Sequence, residues 1–258
     1  MKNILILLAA ILSFAACEIR EEYTFNEDGS GVYEMAFDFT EFMNSTEAND
    51  STAFQEQVDT VINFASLLYE KRDSIAQLPE DEQRRLRALE PLEFSMKVND
   101  STKQMLMKLR YEFSEIEDLE HFAEAVEQAN IKELNELSGA SQPGDTTELD
   151  SLQPAEPGLF EMASSFNMKF SSRKFKRTIT DEARLRAVET KDTTMTAEDP
   201  FADMIKFKQV FRFPYRIREV DNENARILSD FKGIEFEANM YDINNNPDFF
   251  NIEVLFEK

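Results

Sequence analysis

Apolar side chains recur at every second position in several short stretches of the chain, and polar turn residues separate these stretches. The pattern runs through residues 19–25 and 33–39 around a turn at 26–31, and again through 92–98 and 105–113. A period of two places successive side chains on opposite faces of an extended strand. The pattern therefore predicts two β-hairpins in the first half of the chain.

The spacing of apolar residues changes from two to three or four after each hairpin. Residues 52–75 and 114–137 carry their apolar side chains at helical spacing, and a shorter helix fits between Pro79 and Pro91. Such spacing is typical of a helix that buries one face and exposes the other. The sequence therefore predicts a hairpin followed by an amphipathic helix, twice in succession.

The middle of the chain interrupts this plan. Residues 138–158 are rich in Ser, Gly, Pro, Thr and acidic residues, a composition that predicts a disordered acidic insertion. Alternation then resumes and predicts strands at 160–170, 175–179, 205–218, 225–229, 233–240 and 250–257. The predicted fold class is α+β, with a mainly antiparallel sheet of about 8–10 strands and amphipathic helices on one face. Residues 17–258 are predicted to form a single domain.

A short apolar segment opens the chain and ends at a cysteine. Lys2 precedes a run of thirteen residues, 4–16, that is apolar apart from Ser13. This run is too short to span a membrane comfortably and fits the core of a signal peptide. Small residues stand directly before Cys17, which is the one cysteine of the chain.

The segment Phe14-Ala15-Ala16-Cys17 resembles a bacterial lipobox, although Phe14 stands where Leu is usual. The resemblance implies cleavage before Cys17, a diacylglyceryl thioether on its sulfur and an acyl chain on the new amino group. Residues 1–16 are then a lipoprotein signal peptide, and the lipid at Cys17 is the membrane anchor. The alternative is an ordinary cleaved signal in which Cys17 has no role. A single unpaired thiol is a redox liability in an exported protein, which favours lipidation.

Charge excludes one class of partner. The chain carries 28 Lys and Arg against 51 Asp and Glu, a net charge of −23. This charge repels the phosphates of nucleic acids, so no nucleic-acid partner is expected. One hairpin is an exception because it is basic, with Lys169, Arg173, Lys174, Lys176 and Arg177. These residues are predicted to balance acidic neighbours across the sheet, and the alternative is an anionic ligand.

Residues that carry catalytic or metal chemistry are scarce. His121 is the one histidine, so the common zinc sites cannot be assembled, and it is predicted to be an exposed or half-buried structural residue. The oxygen-rich turn at 26–31 invites a calcium interpretation, but the twelfth position of the loop is Phe37 rather than Glu. The six glycines form no phosphate-binding fingerprint. We therefore predict no enzyme activity, no metal and no cofactor.

Two stretches resemble envelope lipoproteins of Bacteroidota. The first is Phe25-Asn26-Glu27-Asp28-Gly29-Ser30-Gly31, and the second runs from Phe213-Pro214-Tyr215-Arg216-Ile217 into residues 220–225. The first hairpin is also similar to the opening of LppM-type lipoprotein domains, a family associated with lipid recognition. The resemblance implies an envelope location and a related fold. Its motifs are turns, so it implies no active site.

A modification pattern agrees with the same origin. Proteins exported by bacteria of this phylum are O-glycosylated at Asp-Ser or Asp-Thr followed by a small apolar residue or Thr. The resemblance therefore implies glycosylation at five positions in predicted loops, which are Ser51, Ser101, Thr146, Ser151 and Thr193. The alternative is that Asp, Ser and Thr cluster here only because they favour turns. The sequence does not decide between the two.

Three functions are consistent with these features. The first is a non-catalytic lipoprotein that binds or scaffolds envelope proteins or lipids, and it is predicted because the lipobox coincides with the scarcity of catalytic residues. The second is a lipid-handling module with a pocket lined by Met and Phe, and the third is an envelope hydrolase with paired carboxylates. The strand pattern begins two residues after Cys17, so the tether is short and the periplasmic face is favoured. Arg20-Glu21-Glu22 resembles a surface-export signal and supports the opposite face.

Overall fold

A computed structural model describes residues 17–40, 58–119, 121–122, 165–199 and 202–257. In these ranges twelve strands form one sheet of eight strands and a second sheet of four. Short helices connect the strands, so the predicted α+β class is confirmed. The predicted signal peptide, residues 1–16, and the predicted disordered insertion, residues 138–158, lie outside the described residues.

The large sheet has the strand order β10-β11-β8-β1-β2-β5-β4-β3, and its neighbouring strands are antiparallel except for β1 and β8, which are parallel. Its strands are β1 (Cys17–Phe25), β2 (Gly31–Asp38), β3 (Val58–Asn63), β4 (Leu92–Asn99), β5 (Gln104–Phe113), β8 (Ile205–Arg212), β10 (Arg226–Ile227) and β11 (Gly233–Asn239). The N-terminal strand β1 therefore lies inside the sheet, between its hairpin partner and a strand from the last third of the chain.

The small sheet is antiparallel and has the order β6-β7-β12-β9. Its strands are β6 (Phe166–Phe170), β7 (Lys174–Ile179), β9 (Ile217–Val220) and β12 (Ile252–Phe256). It packs on the apolar face of the large sheet through phenylalanine side chains, as the 23 Phe of the sequence suggest. Phe25 stands at the centre of this contact, with its ring centroid 4.9 Å from that of Phe170 and 5.4 Å from that of Phe175.

Five α-helices have both ends within the described ranges, which are α1 (Phe64–Glu70), α2 (Arg72–Ile75), α3 (Glu80–Ala88), α4 (Asp181–Glu189) and α5 (Met240–Asn245). Side chains cap three of them at the N-terminus, since Asn63, Thr180 and Asn239 each accept a backbone N–H of the first turn. The short helix expected between Pro79 and Pro91 is α3. The sequence pattern did not predict α4 and α5.

The helix predicted over 52–75 is wrong for residues 58–63, which form the edge strand β3 paired with β4. Val58, Thr60, Val61 and Ile62 are β-branched and favour a pleated strand, and the helix begins only after the Asn63 cap. Residues 52–57 lie outside the described part of the chain. Of the helix predicted over 114–137, a helical turn is described as far as Phe122, which stacks on Tyr111 at 4.2 Å.

The turn between β1 and β2 confirms the turn interpretation of 26–31. The N–H of Asn26 donates to the carbonyl of Ser30 at 2.8 Å, and Gly29 has φ +91°. The Asp28 carboxylate accepts from both the backbone N–H and the hydroxyl of Ser30, at 3.0 and 2.7 Å. These hydrogen bonds lower the pKa of Asp28. The oxygen atoms that suggested calcium are therefore used to close the turn.

Candidate functional site

Cys17 occupies the first position of β1, so no residue separates it from the folded sheet. Its N–H donates to the carbonyl of Met204 at 2.9 Å, and its register partner on β8 is Ile205. The side chain is half-buried, and burial together with the charge of Asp38 raises the pKa of the thiol. Met204 itself is 42% exposed. Cys17 thus marks one end of the large sheet.

The predicted glycosylation residues are not gathered at one place. Ser101 is exposed in the turn between β4 and β5, where its hydroxyl donates to the Asn99 side chain at 2.6 Å. Thr193 is exposed in the loop that follows α4. Ser51, Thr146 and Ser151 lie outside the described residues. His121 is exposed in the helical turn after β5, which is one of the two degrees of burial predicted for it.

A chain of buried polar side chains links the two sheets, and it was not predicted from the sequence. The hydroxyl of Tyr33 on β2 donates to Glu21 Oε1 on β1 at 2.9 Å, and Gln209 on β8 donates to Glu21 Oε2 at 2.6 Å. Arg177 on β7 of the small sheet then donates to Gln209 Oε1 at 2.8 Å. Glu21 and Arg177 are each only 1% exposed.

The surroundings of Arg177 are aromatic. Its guanidinium lies 3.4 Å from the ring centroid of Phe166 and 5.5 Å from that of Phe211, which favours the cation through the ring quadrupoles. Among the described residues, the Tyr23 hydroxyl oxygen and Nε and Nη2 of Arg177 are buried without a hydrogen-bond partner. Unpaired buried groups carry a desolvation penalty, so these atoms offset part of the stabilisation that the hydrogen bonds of the polar chain provide.

Burial controls the ionisation of this polar chain. Removal from water raises the pKa of Glu21, while the positive charge of Arg177 and the hydrogen bonds from Tyr33 and Gln209 act in the opposite direction. Burial likewise lowers the pKa of Arg177, against the charges around it. Solvent does not reach these groups, so the polar chain serves as a cross-brace between the sheets rather than as a substrate site.

The sequence did contain a signal for the cross-brace. Glu21, Gln209 and Arg177 each occupy an inward position of a strand whose other inward positions are apolar. A polar residue at such a position must find a partner inside the protein. The alternation therefore identifies the buried polar residues, although it does not show that the three side chains meet.

A cleft of ≈ 560 Å³ lies between the helical turn after β5 and the hairpin of β6 and β7. Ile116, Leu119, Phe166 and Met168 supply apolar surface, and Lys169 and Lys176 are among the polar lining residues. Volumes of this size are typical of binding sites. The cleft is therefore a candidate recognition site in the described part of the chain.

A second concavity of ≈ 550 Å³ is lined mainly by Asp and Asn side chains near β12. Several of these groups hold the loops together. Asp221 accepts the N–H of Glu253 at 2.6 Å, and Asn222 donates to the carbonyls of Phe249 and Asn251 at 2.9 and 2.7 Å. Within the described ranges no cluster of three or more His, Cys, Asp or Glu is arranged to hold a metal.

The basic hairpin behaves partly as the sequence predicts. Lys174 and Lys176 face Glu253 on β12, with Nζ to Oε2 distances of 3.2 and 4.0 Å. These contacts are the predicted balance with an acidic neighbour across the sheet. Arg177 points inward instead and belongs to the cross-brace. Lys169 has no ion pair with any described residue.

The chain is thus a two-sheet α+β domain that has a cysteine at the start of its first strand. No helix in the described ranges combines the length and hydrophobicity needed to cross a membrane. Comparison with protein families found no match, and comparison with curated proteins found none either.

A search of solved structures matched the folded domain of LppM from Mycobacterium tuberculosis, determined by NMR. The match covers 96% of this chain and 95% of that domain, with 8% sequence identity and a TM-score of 0.36. The structural resemblance is faint. Nothing in the comparisons concerns Bacteroidota.

Proposed function

We propose that the chain is a lipoprotein of the bacterial cell envelope, anchored by a lipid on Cys17, and that its folded part is a non-catalytic binding or scaffolding module. The observation that carries this proposal is the coincidence of sequence and structure at Cys17. The residue ends the lipobox-like segment, and it is also the first residue of β1. Cleavage before Cys17 would leave β1 complete.

N-acylation would preserve the hydrogen bonding at Cys17, where the nitrogen is a peptide amide in the uncleaved chain. The nitrogen of Cys17 donates one N–H to the carbonyl of Met204. A free amino terminus would place a charged ammonium group at this half-buried position, and burial of a charge is unfavourable. An acylated nitrogen is a neutral amide that keeps one N–H, and this N–H can donate to the carbonyl of Met204. Three acyl chains, at about 0.8 kcal/mol per buried methylene, anchor a protein firmly.

The anchor is tested by removing the sulfur. Replacing Cys17 with Ala behind an ordinary cleavable signal peptide is expected to move the protein from the membrane fraction to the soluble fraction, because the lipid is its proposed hold on the bilayer. Mass spectrometry of the unaltered protein should show an acylated N-terminal Cys17. Glu18→Ala is the matched control and should remain with the membranes. A Cys17→Ala protein that resists salt washing of membranes would disprove the anchor.

The short tether bears on the face of the membrane that the domain occupies. Because β1 begins at Cys17, the large sheet stands close to the headgroups, and we propose that it faces the periplasm. Protease added to intact cells is then expected to spare the protein, including the exposed loop at Lys191, and to cleave there once the outer membrane is permeabilised. Cleavage in intact cells would instead place the domain on the cell surface.

A further inference from the structure

The edge of β6 leaves backbone hydrogen-bonding groups facing the cleft. Ser171 and Lys174 exchange two backbone hydrogen bonds, of 2.9 and 3.3 Å, and Thr180 donates to Ser165 at 2.9 Å. In an antiparallel pair, bonded and non-bonded positions alternate. The register therefore directs the N–H and C=O groups of Asn167 and Lys169 toward β7, and those of Phe166 and Met168 away from it.

The same edge separates apolar from basic side chains. Phe166 and Met168 point toward the core side, where Ile116 and Leu119 also line the cleft. Lys169 lies on the opposite, exposed face. A strand added along this edge would meet apolar surface on one side and positive charge on the other. It would therefore alternate between apolar and acidic residues, by the side-chain period of two.

Two lysines of the hairpin lie close enough to repel each other and so destabilise the hairpin. Lys169 on β6 is the direct register partner of Lys176 on β7, and like charges in this position repel each other. Glu253 contacts Lys174 and Lys176 but no described carboxylate pairs with Lys169. Among the described residues that line the cleft, Glu117 is the one acid. In a chain of net charge −23, this is a local basic surface on which Lys169 pairs with no described carboxylate.

We propose that the edge of β6, which pairs with no strand of the described residues, binds an extended acidic segment of a partner protein as an additional strand of the small sheet. The backbone of Phe166 and Met168 would supply hydrogen bonds, Lys169 and Lys176 would bind the acidic side chains, and the apolar wall would take the alternate residues. This mode of recognition takes its affinity from main-chain hydrogen bonds and its specificity from alternate side chains. The inference builds on the proposed binding role and names the class of partner.

The test uses the full-length protein in detergent and a labelled peptide of about ten residues in which Glu alternates with Val. The peptide is expected to bind, and Lys169→Glu should weaken binding about tenfold, since it reverses a charge at the contact. Added salt should also weaken it. Lys191→Glu reverses an exposed charge in the loop after α4 and should leave binding unchanged.

Two further measurements separate strand addition from simple charge attraction. A peptide methylated on alternate backbone nitrogens, so that it cannot donate to β6, should lose binding. Hydrogen exchange at the Met168 amide should slow when the unmodified peptide is added, whereas the Lys169 amide, already bonded to β7, should change little.

Several results would overturn the proposal. These are equal binding of a peptide in which Lys replaces Glu, no effect of Lys169→Glu, or binding of the methylated peptide. Binding of anionic phospholipid vesicles through Lys169, without peptide binding, would also overturn it and would assign the lysines to a membrane. Cys17→Ala should bind the peptide as the unaltered chain does, so failure of the anchor and failure of this site are distinguishable.

Discussion

Replacing Arg177 with Ala is expected to lower the free energy of unfolding by about 3–5 kcal/mol, the range seen when one partner of a buried charged pair is removed. Arg177 holds Gln209, and through it Glu21, by hydrogen bonds between the two sheets. Without the guanidinium, the Glu21 carboxylate remains buried with no positive charge near it. Denaturant unfolding followed by circular dichroism measures the loss.

The pH dependence of the Arg177→Ala protein should identify the cause. Burial already raises the pKa of Glu21 above its ordinary 4.5, and the charge of Arg177 opposes this rise, so the variant raises that pKa further. Between 4.5 and the new folded pKa, the folded state holds a proton that the unfolded state has released. Stability of the variant should therefore fall as pH increases through this window and recover in acid.

A double variant provides the control for this charge effect. Arg177→Met combined with Glu21→Gln removes both charges and keeps side chains of similar length. It should be more stable than Arg177→Ala and should lack its pH dependence, because no buried charge remains in the cross-brace. Unfolding of Arg177→Ala at the same denaturant concentration as the unaltered protein would show that the cross-brace does not stabilise the contact between the sheets.

Replacing Gly31 with Ala is expected to cost about 3 kcal/mol, at the upper end of the usual range for overpacking. A methyl group on Gly31 would overlap the carbonyl oxygen of Thr24 and the ring of Phe113. The carbonyl belongs to the backbone of β1, so the hairpin itself would have to shift. Thermal unfolding should show a clear fall in melting temperature.

Gly29 offers a matched comparison within the same turn. It has φ +91°, but a Cβ there would meet no atom within 4 Å. Asn tolerates positive φ better than most residues, so Gly29→Asn should be much less destabilising than Gly31→Ala. If the two variants were equally stable, the contacts with Thr24 and Phe113 would not be the reason that position 31 requires glycine.

Local alternation was sufficient to predict the hairpins. The pairs β1–β2, β4–β5 and β6–β7 each join neighbouring segments around a polar turn, so the period of two and the turn residues determine them. The helix predicted for residues 58–63 was wrong because the β-branched residues of this segment also fall at helical spacing. Short apolar segments remain ambiguous by periodicity, and only pairing with β4 decides this one.

Pairing between distant segments could not be predicted from local pattern. The parallel contact of β1 with β8 and the division of the strands into two sheets depend on packing across the whole chain. The same limit applies to the cross-brace and to the cleft. Alternation shows that Glu21 and Arg177 point inward, but only the fold brings them to the same place.

If the chain is exported and lipidated at Cys17 as proposed, the position of β1 between β2 and β8 also has a consequence for the order of events during export. Glu21 and Gln209 are 188 positions apart, so the centre of the large sheet cannot close until the last third of the chain has been translocated. Until then β1 lacks its β8 neighbour, and Cys17 at its start stays accessible to the enzymes that would cleave and acylate it. Late closure of the sheet would thus allow maturation to precede folding. A chain that folded from its N-terminus would enclose the same residue too early.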